Sequence, residues 1–197
     1  MKHFIRAFLP KGRCFSFYPL FLIVPVLLLF SFVNAFAENM GPALRFTSPE
    51  QRIEIAPFQK APYGTLTIEF RMKIEKVVSG LQNLVGDGEG PFDYCSKIYF
   101  NGDDQMLYAF LQTTSGTFMP KSTATIEPGL WYHVAYVVDG TNLTLYLSGE
   151  AIAQVPYSGD LDNTDNAFYI GSDENEKAPL ATIDDVRIWN TARNVEP

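Results

Sequence analysis

The chain has 197 residues, with 15 Lys+Arg against 22 Asp+Glu, two histidines and two cysteines. That acidic balance excludes partners held by a basic surface, nucleic acid and anionic lipid above all. Two cysteines exclude a disulfide framework.

The first element is a leader. Lys2, Arg6, Lys11 and Arg13 precede an apolar run, Leu20 to Val33, and then "NAFA", with small residues at Ala35 and Ala37. This pattern predicts a signal peptide over residues 1–37, cut after Ala37. The apolar run falls short of the roughly 20 residues a spanning helix needs. The expected product is therefore secreted, extracellular or periplasmic, with no stable membrane insertion after cleavage. Removing the leader's four cations leaves 11 Lys+Arg against 22 Asp+Glu, a net of −11. Such a surface suits a soluble exported protein or one that meets divalent cations. Cys14 leaves with the leader, and Cys95 is expected to be a small apolar strand residue. Residues 38–197 are enough for one domain with a full core.

Beyond the leader the repeat is period two, broken by Gly, Pro, Asn and Asp. "ALRFT" (43–47) and "QRIEIA" (51–56) are expected to form a short pair. In "TLTIEFRMKI" (65–74), Leu66, Ile68, Phe70, Met72 and Ile74 share a dry face; Thr67, Glu69, Arg71 and Lys73 share a wet one. "LQNLVGD" (81–87) reads as a strand and "GDGEGPFD" (86–93) as a loop. Residues 96–113 read as two strands around Asn101–Asp104. After a turn at 127–129, residues 130–156 give three strands joined at Asp139–Gly140 and Ser148–Gly149. "AFYIGS" (167–172) and "TIDDVRIWN" (182–190) close the set. About eleven or twelve strands with frequent turns predict an all-β, two-sheet antiparallel sandwich, or jelly roll.

Five segments carry a resemblance: "ALRFTSPEQRIEI", "GTLTIEFRMKI", "PGLWYHVAYVVDGTNLTLYLSGEAIA", "FYIGS" and "IDDVRIWNTAR". Their order over residues 43–194 resembles LamG-like jelly-roll domains of the concanavalin A-like lectin/glucanase superfamily. One LamG-like domain over 38–197 is expected. The resemblance implies a non-catalytic module binding glycan or an extracellular or cell-surface protein, with a structural calcium. Fold alone does not choose among functions. A carbohydrate-active enzyme, glucanase-like hydrolase or lyase, and a structural module of an envelope assembly are the alternatives.

Glycoside hydrolysis needs two facing carboxyl groups. The related glucanases carry Glu-x-Asp-x-x-Glu on one strand, a spacing this sequence lacks. Its acids cluster instead in Gly- or Asn-rich loops: Asp87, Glu89 and Asp93; Asp103 and Asp104; Asp160, Asp162 and Asp165; Asp173, Glu174 and Glu176. Turn chemistry explains such loops. "DLDNTDNAF" lacks the glycine and closing Glu of an EF-hand. His133 is the one histidine after the leader and is expected to be a hydrogen-bonded core residue.

The pair Asp184–Asp185 stands out in the last strand. Asp184 has the parity of Val186 and Ile188 and is expected to point inward; Asp185 has the parity of Arg187 and is expected to point outward, paired with it. An inward carboxylate needs loop amides, a cation such as Arg45, or a metal. By resemblance, Asp184 would ligate calcium with backbone carbonyls of Gly41 and Arg45. For sugar stacking the candidate rings are Phe92, Tyr94, Tyr99, Tyr108, Phe118 and Tyr157. Phe92 and Tyr157, with Asp87 and Asp93 beside the loop, are preferred. Asn142–Leu143–Thr144 is a glycosylation sequon.

Overall fold

Leu66, Ile68, Phe70, Met72 and Ile74 all turn to the core along one long strand, β3 (Leu66–Lys76). The structure is a computed structural model that describes residues 43–58, 64–88, 95–161, 166–173 and 176–193. The expected signal peptide therefore lies outside the described residues. Among them there is no helix.

The other strands are β1 (Leu44–Arg45), β2 (Arg52–Ile55), β4 (Leu81–Asp87), β5 (Ser96–Asn101), β6 (Met106–Thr113), β7 (Gly116–Phe118) and β8 (Lys121–Thr125). Then come β9 (Tyr132–Val138), β10 (Asn142–Leu147), β11 (Glu150–Pro156), β12 (Phe168–Gly171) and β13 (Leu180–Trp189). One sheet has the order β1-β13-β3-β9-β10-β11, the other β2-β12-β4-β5-β6-β7, with β8 also pairing β6. All pairings between named strands are antiparallel, as predicted.

The two inner faces make one core. β3 and β9 bring Phe70, Met72, Val134 and Tyr136; the facing sheet brings Leu84, Ile98, Phe100, Leu107, Phe168 and Ile170. Sheets stacked this way stand about 10 Å apart. Tyr136 spans that gap and donates its hydroxyl to the Phe110 carbonyl at 3.0 Å. The predicted meander β9–β10–β11 forms as read. At its second turn Ser148 and Gly149 both take positive φ, 50° and 89°, as a two-residue I′ turn requires.

One strand pairing differs from expectation. β1 and β2 do not pair: β1 joins β13, and β2 joins β12 in the opposite sheet. The chain changes sheets at residues 47–51, where the Gln51 carbonyl oxygen of the side chain accepts the Thr47 and Ser48 amides at 2.6 and 3.0 Å. Both runs are too short for alternation to reveal their partners. β7 and β8 were not separable in the sequence either, because Pro120 and Gly116 interrupt their pattern.

Candidate functional site

The outer face of the six-stranded sheet carries the densest charged and aromatic grouping among the described residues, and its centre is Glu69. Glu69 lies on β3, opposite Ala135 of β9 and Arg187 of β13. Its carboxylate accepts from Arg193 Nη1 at 2.8 Å and from the Trp189 indole at 3.1 Å. Arg187 Nη1 stands 3.6 Å away and His133 Nε2 3.9 Å. The Arg193 guanidinium also lies 4.3 Å from the centre of the Trp189 ring, a cation–π contact. Behind this group residues 191–193 are stitched to β3. Thr67 Oγ1 donates to the Thr191 carbonyl at 2.8 Å and accepts the Arg193 amide at 3.0 Å. The segment "RIWNTAR" thus folds back over "TIEF", and the two motifs are one structural unit.

The two aspartates sit beside it, and here the structure corrects the sequence reading. Asp184 does not point into the core. Ala181 and Ile183 do, then a bulge between Asp184 and Arg187 shifts the register against Arg71 and Glu69 of β3. Asp185 takes φ +53° in that bulge, a conformation Asp tolerates better than most residues. The Asp184 carboxylate accepts the Asp185 amide at 2.8 Å, which supports the kink. After the extra residue Val186 and Ile188 face inward, so parity counted across the bulge gives the wrong face for Asp184. It is half-exposed and opposite Arg71. Asp185 is exposed and takes Arg187 Nη2 at 3.1 Å, the pairing expected for it.

His133 is likewise on this outer face, opposite Arg71 and half-exposed, rather than in the core. Burial pushes its pKa below the ordinary 6.5; Glu69 pulls it back, and Arg71 and Arg187 push it down again. Folded His133 therefore binds its proton less readily than unfolded His133. Stability from this group is full above about 6.5 and falls as pH drops from there toward the folded pKa. Melting curves at pH 7.5, 6 and 5, values bracketing an ordinary histidine at about 6.5, are expected to converge for His133→Gln more than for the parent. Parallel curves for the two proteins would contradict this.

Further along the face, Lys73 Nζ lies 5.6 Å from the Trp131 ring centre and 3.0 Å from Glu75. A hydrogen bond from Thr182, followed by Lys73, holds the Glu75 carboxyl below its ordinary value.

The outer face of the other sheet has a different character. Lys97 of β5 is buried and its Nζ donates to buried Asp173 at 2.6 Å. The stem of Lys97 crosses Gly86 of β4, where a Cβ would meet Lys97 Cγ at 2.5 Å. Asp173 in turn accepts the Glu176 amide at 2.6 Å. Burial, and then the Asp173 charge, raise the Glu176 carboxyl above its ordinary value.

Four of the sugar-stacking candidates meet in two separate pairs, Tyr99 opposite Tyr108 across β5 and β6 and Phe118 against Tyr157. Phe92, Asp93 and Tyr94 lie outside the described residues. Asp87 is buried and accepts the Cys95 and Ser96 amides at 2.9 and 2.7 Å, tying the end of β4 to the start of β5. Tyr157 packs edge-on against Phe118 at 6.1 Å and borders the core. Asp103 and Asp104 serve turns, accepting from Ser79 at 2.6 Å and Tyr108 at 2.7 Å. Of the calcium set, Asp184 and Arg45 are described and Gly41 is not. Among the described residues no three His, Cys, Asp or Glu side chains gather as a metal cluster. The sequence reading missed Glu69, Trp189 and Arg193 as a unit; their signal was the opposite charge in two motifs on neighbouring strands.

A family model described as the concanavalin A-like lectin/glucanases superfamily, of laminin G type, matches residues 48–196. The chain belongs to that superfamily. Solved structures agree on the LamG-like fold. A Trypanosoma rangeli sialidase in complex with the inhibitor DANA is 18% identical with a TM-score of 0.58, over 80% of this chain and 27% of that one. A native heptameric SAP-like pentraxin from Limulus polyphemus is 18% identical at 0.54, over 80% and 75%. Mouse laminin alpha1 chain domains LG4-5 are 11% identical at 0.58, over 74% and 39%. This LamG-like chain spans 21% to 27% of the sialidases it matches. No curated protein sequence matches it.

Proposed function

We propose that this LamG-like chain is a secreted, non-catalytic recognition domain that binds carbohydrate on the outer face of its six-stranded sheet. The observation that carries the reading is the fixed group around Glu69: an indole, an imidazole and guanidinium groups held side by side on a sheet. Sugar recognition uses such rings for stacking and such polar groups for orientation. Trp189 is 38% exposed there, and Arg71, Arg187 and Arg193 are exposed around it. The carboxylate of Glu69 is engaged by Arg193 and Trp189, which suits a scaffold rather than an acid delivering protons to a substrate. The leader over 1–37 supports secretion. A glycan array probed with the protein, then with Arg71→Ala and Arg187→Ala, tests the reading: signal is expected for the parent and lost, about tenfold or more, in the variants.

The proposal includes a structural calcium. Asp184 would hold it with the carbonyl of Arg45, joining β13 to β1. Two observations support the place: Asp184 follows the Leu44–Ile183 pair directly, and it is half-exposed. Arg71 is the competing cation. Chelator is expected to lower the melting temperature of the parent and leave Asp184→Ala unchanged. A parent curve that ignores chelator would assign Asp184 to Arg71 instead.

A further inference from the structure

Among the described residues β2 is the outermost strand of its sheet, and all four of its residues, Arg52, Ile53, Glu54 and Ile55, are exposed. Its register against β12 sets Ile53 opposite Ile170 and Arg52 opposite Gly171. One step earlier the Ser172 amide donates to the Gln51 carbonyl at 2.9 Å, which makes Gln51 and Ser172 a hydrogen-bonded pair. Such pairs alternate along an antiparallel ladder. Gln51, Ile53 and Ile55 therefore turn their N–H and C=O groups to β12, while Arg52 and Glu54 turn theirs to the open edge. The side chains follow the same alternation. Ile53 and Ile55 lie on the inner face yet remain 36% and 37% exposed. Arg52 and Glu54 lie on the outer face, 3.6 Å apart.

We propose that this edge pairs with β2 of a second copy of the chain, antiparallel, about a two-fold axis through Ile53. An exposed strand edge is a template for a further strand, and proteins usually block it with proline, a bulge or charges of one sign. β2 has neither proline nor bulge among its residues, and its two charges are opposite. The charges select both partner and register. An axis at Arg52 sets arginine against arginine, and an axis at Glu54 sets glutamate against glutamate. An axis at Ile53 sets Arg52 of each copy against Glu54 of the other. Opposite charges directly across a strand pair are favourable and like charges are not. In that register the open amides and carbonyls of Arg52 and Glu54 meet their counterparts, and Ile53 meets Ile53 on the apolar side. The sequence Arg-Ile-Glu is its own antiparallel complement, which favours a second copy over a foreign strand. So short a strand buries little surface, so the association is reversible and depends on concentration.

Sedimentation velocity of the full chain over a wide concentration range tests this. The parent is expected to show a monomer–dimer equilibrium. Arg52→Glu and Glu54→Arg are each expected to weaken it by roughly tenfold or more. An equimolar mixture of the two variants pairs again, as does the double exchange Arg52→Glu/Glu54→Arg. Because both side chains are exposed, unchanged melting temperatures will show that the variants fold. A parent that stays monomeric, variants that sediment like the parent, or a mixture that fails to associate would each overturn the proposal.

Discussion

Lys97→Met is expected to cost about 3–5 kcal/mol of stability, the usual penalty for leaving a buried charge without its partner. Lys97 and Asp173 are both buried and 2.6 Å apart, so water cannot replace the lost ammonium. The proof lies in the double variant. Lys97→Met with Asp173→Leu removes both charges and keeps apolar bulk, and such exchanges are often neutral or stabilising. Urea unfolding of the two variants separates the cases. A large loss in the single variant and recovery in the double one is expected. An equal loss in both would show that packing across Gly86, rather than charge, dominates.

Glu69→Ala is expected to cost about 2–3 kcal/mol, because charged hydrogen bonds from Arg193 and Trp189 lose their acceptor together. The arginines are exposed and can be hydrated, which keeps the cost below that at Lys97. The loss has a local signature. The Arg193 amide, bonded to Thr67 Oγ1, should exchange faster with solvent, and Trp189 emission should shift to the red. Glu69→Gln keeps acceptor oxygen and shape, so it is expected to lose about half as much. Unchanged exchange at Arg193 in Glu69→Ala would show that the C-terminal segment is held by other contacts.

The fold was legible where burial is one-sided. Along β3 the alternation of Leu66 to Ile74 with polar residues leaves a single way to place the strand. The turns at Asp139–Gly140 and Ser148–Gly149 were legible because each holds a glycine, Gly140 and Gly149, that suits the positive φ it takes. Illegible features have two causes: the partner is distant in the chain, or the period breaks locally. Lys97 looks like a wet-face residue, since Asp173 lies 76 positions away. Asp184 and Val186 share parity on paper, but the bulge at Asp185 puts them on opposite faces. The Glu69 unit joins residues more than a hundred positions apart, so no single stretch shows it. Its place in the middle of the sheet follows only once β13 is known to lie beside β3.

Carbohydrate recognition by the six-stranded sheet's outer face is most directly measured by amide chemical-shift mapping. Labelled protein is titrated with the glycan that gives the strongest array signal. Shifts concentrated at Arg71, His133, Arg187 and Trp189, and abolished in Arg187→Ala, are the expected result. Shifts confined to the Lys97–Asp173 face, or no response to any glycan, would contradict the proposed site.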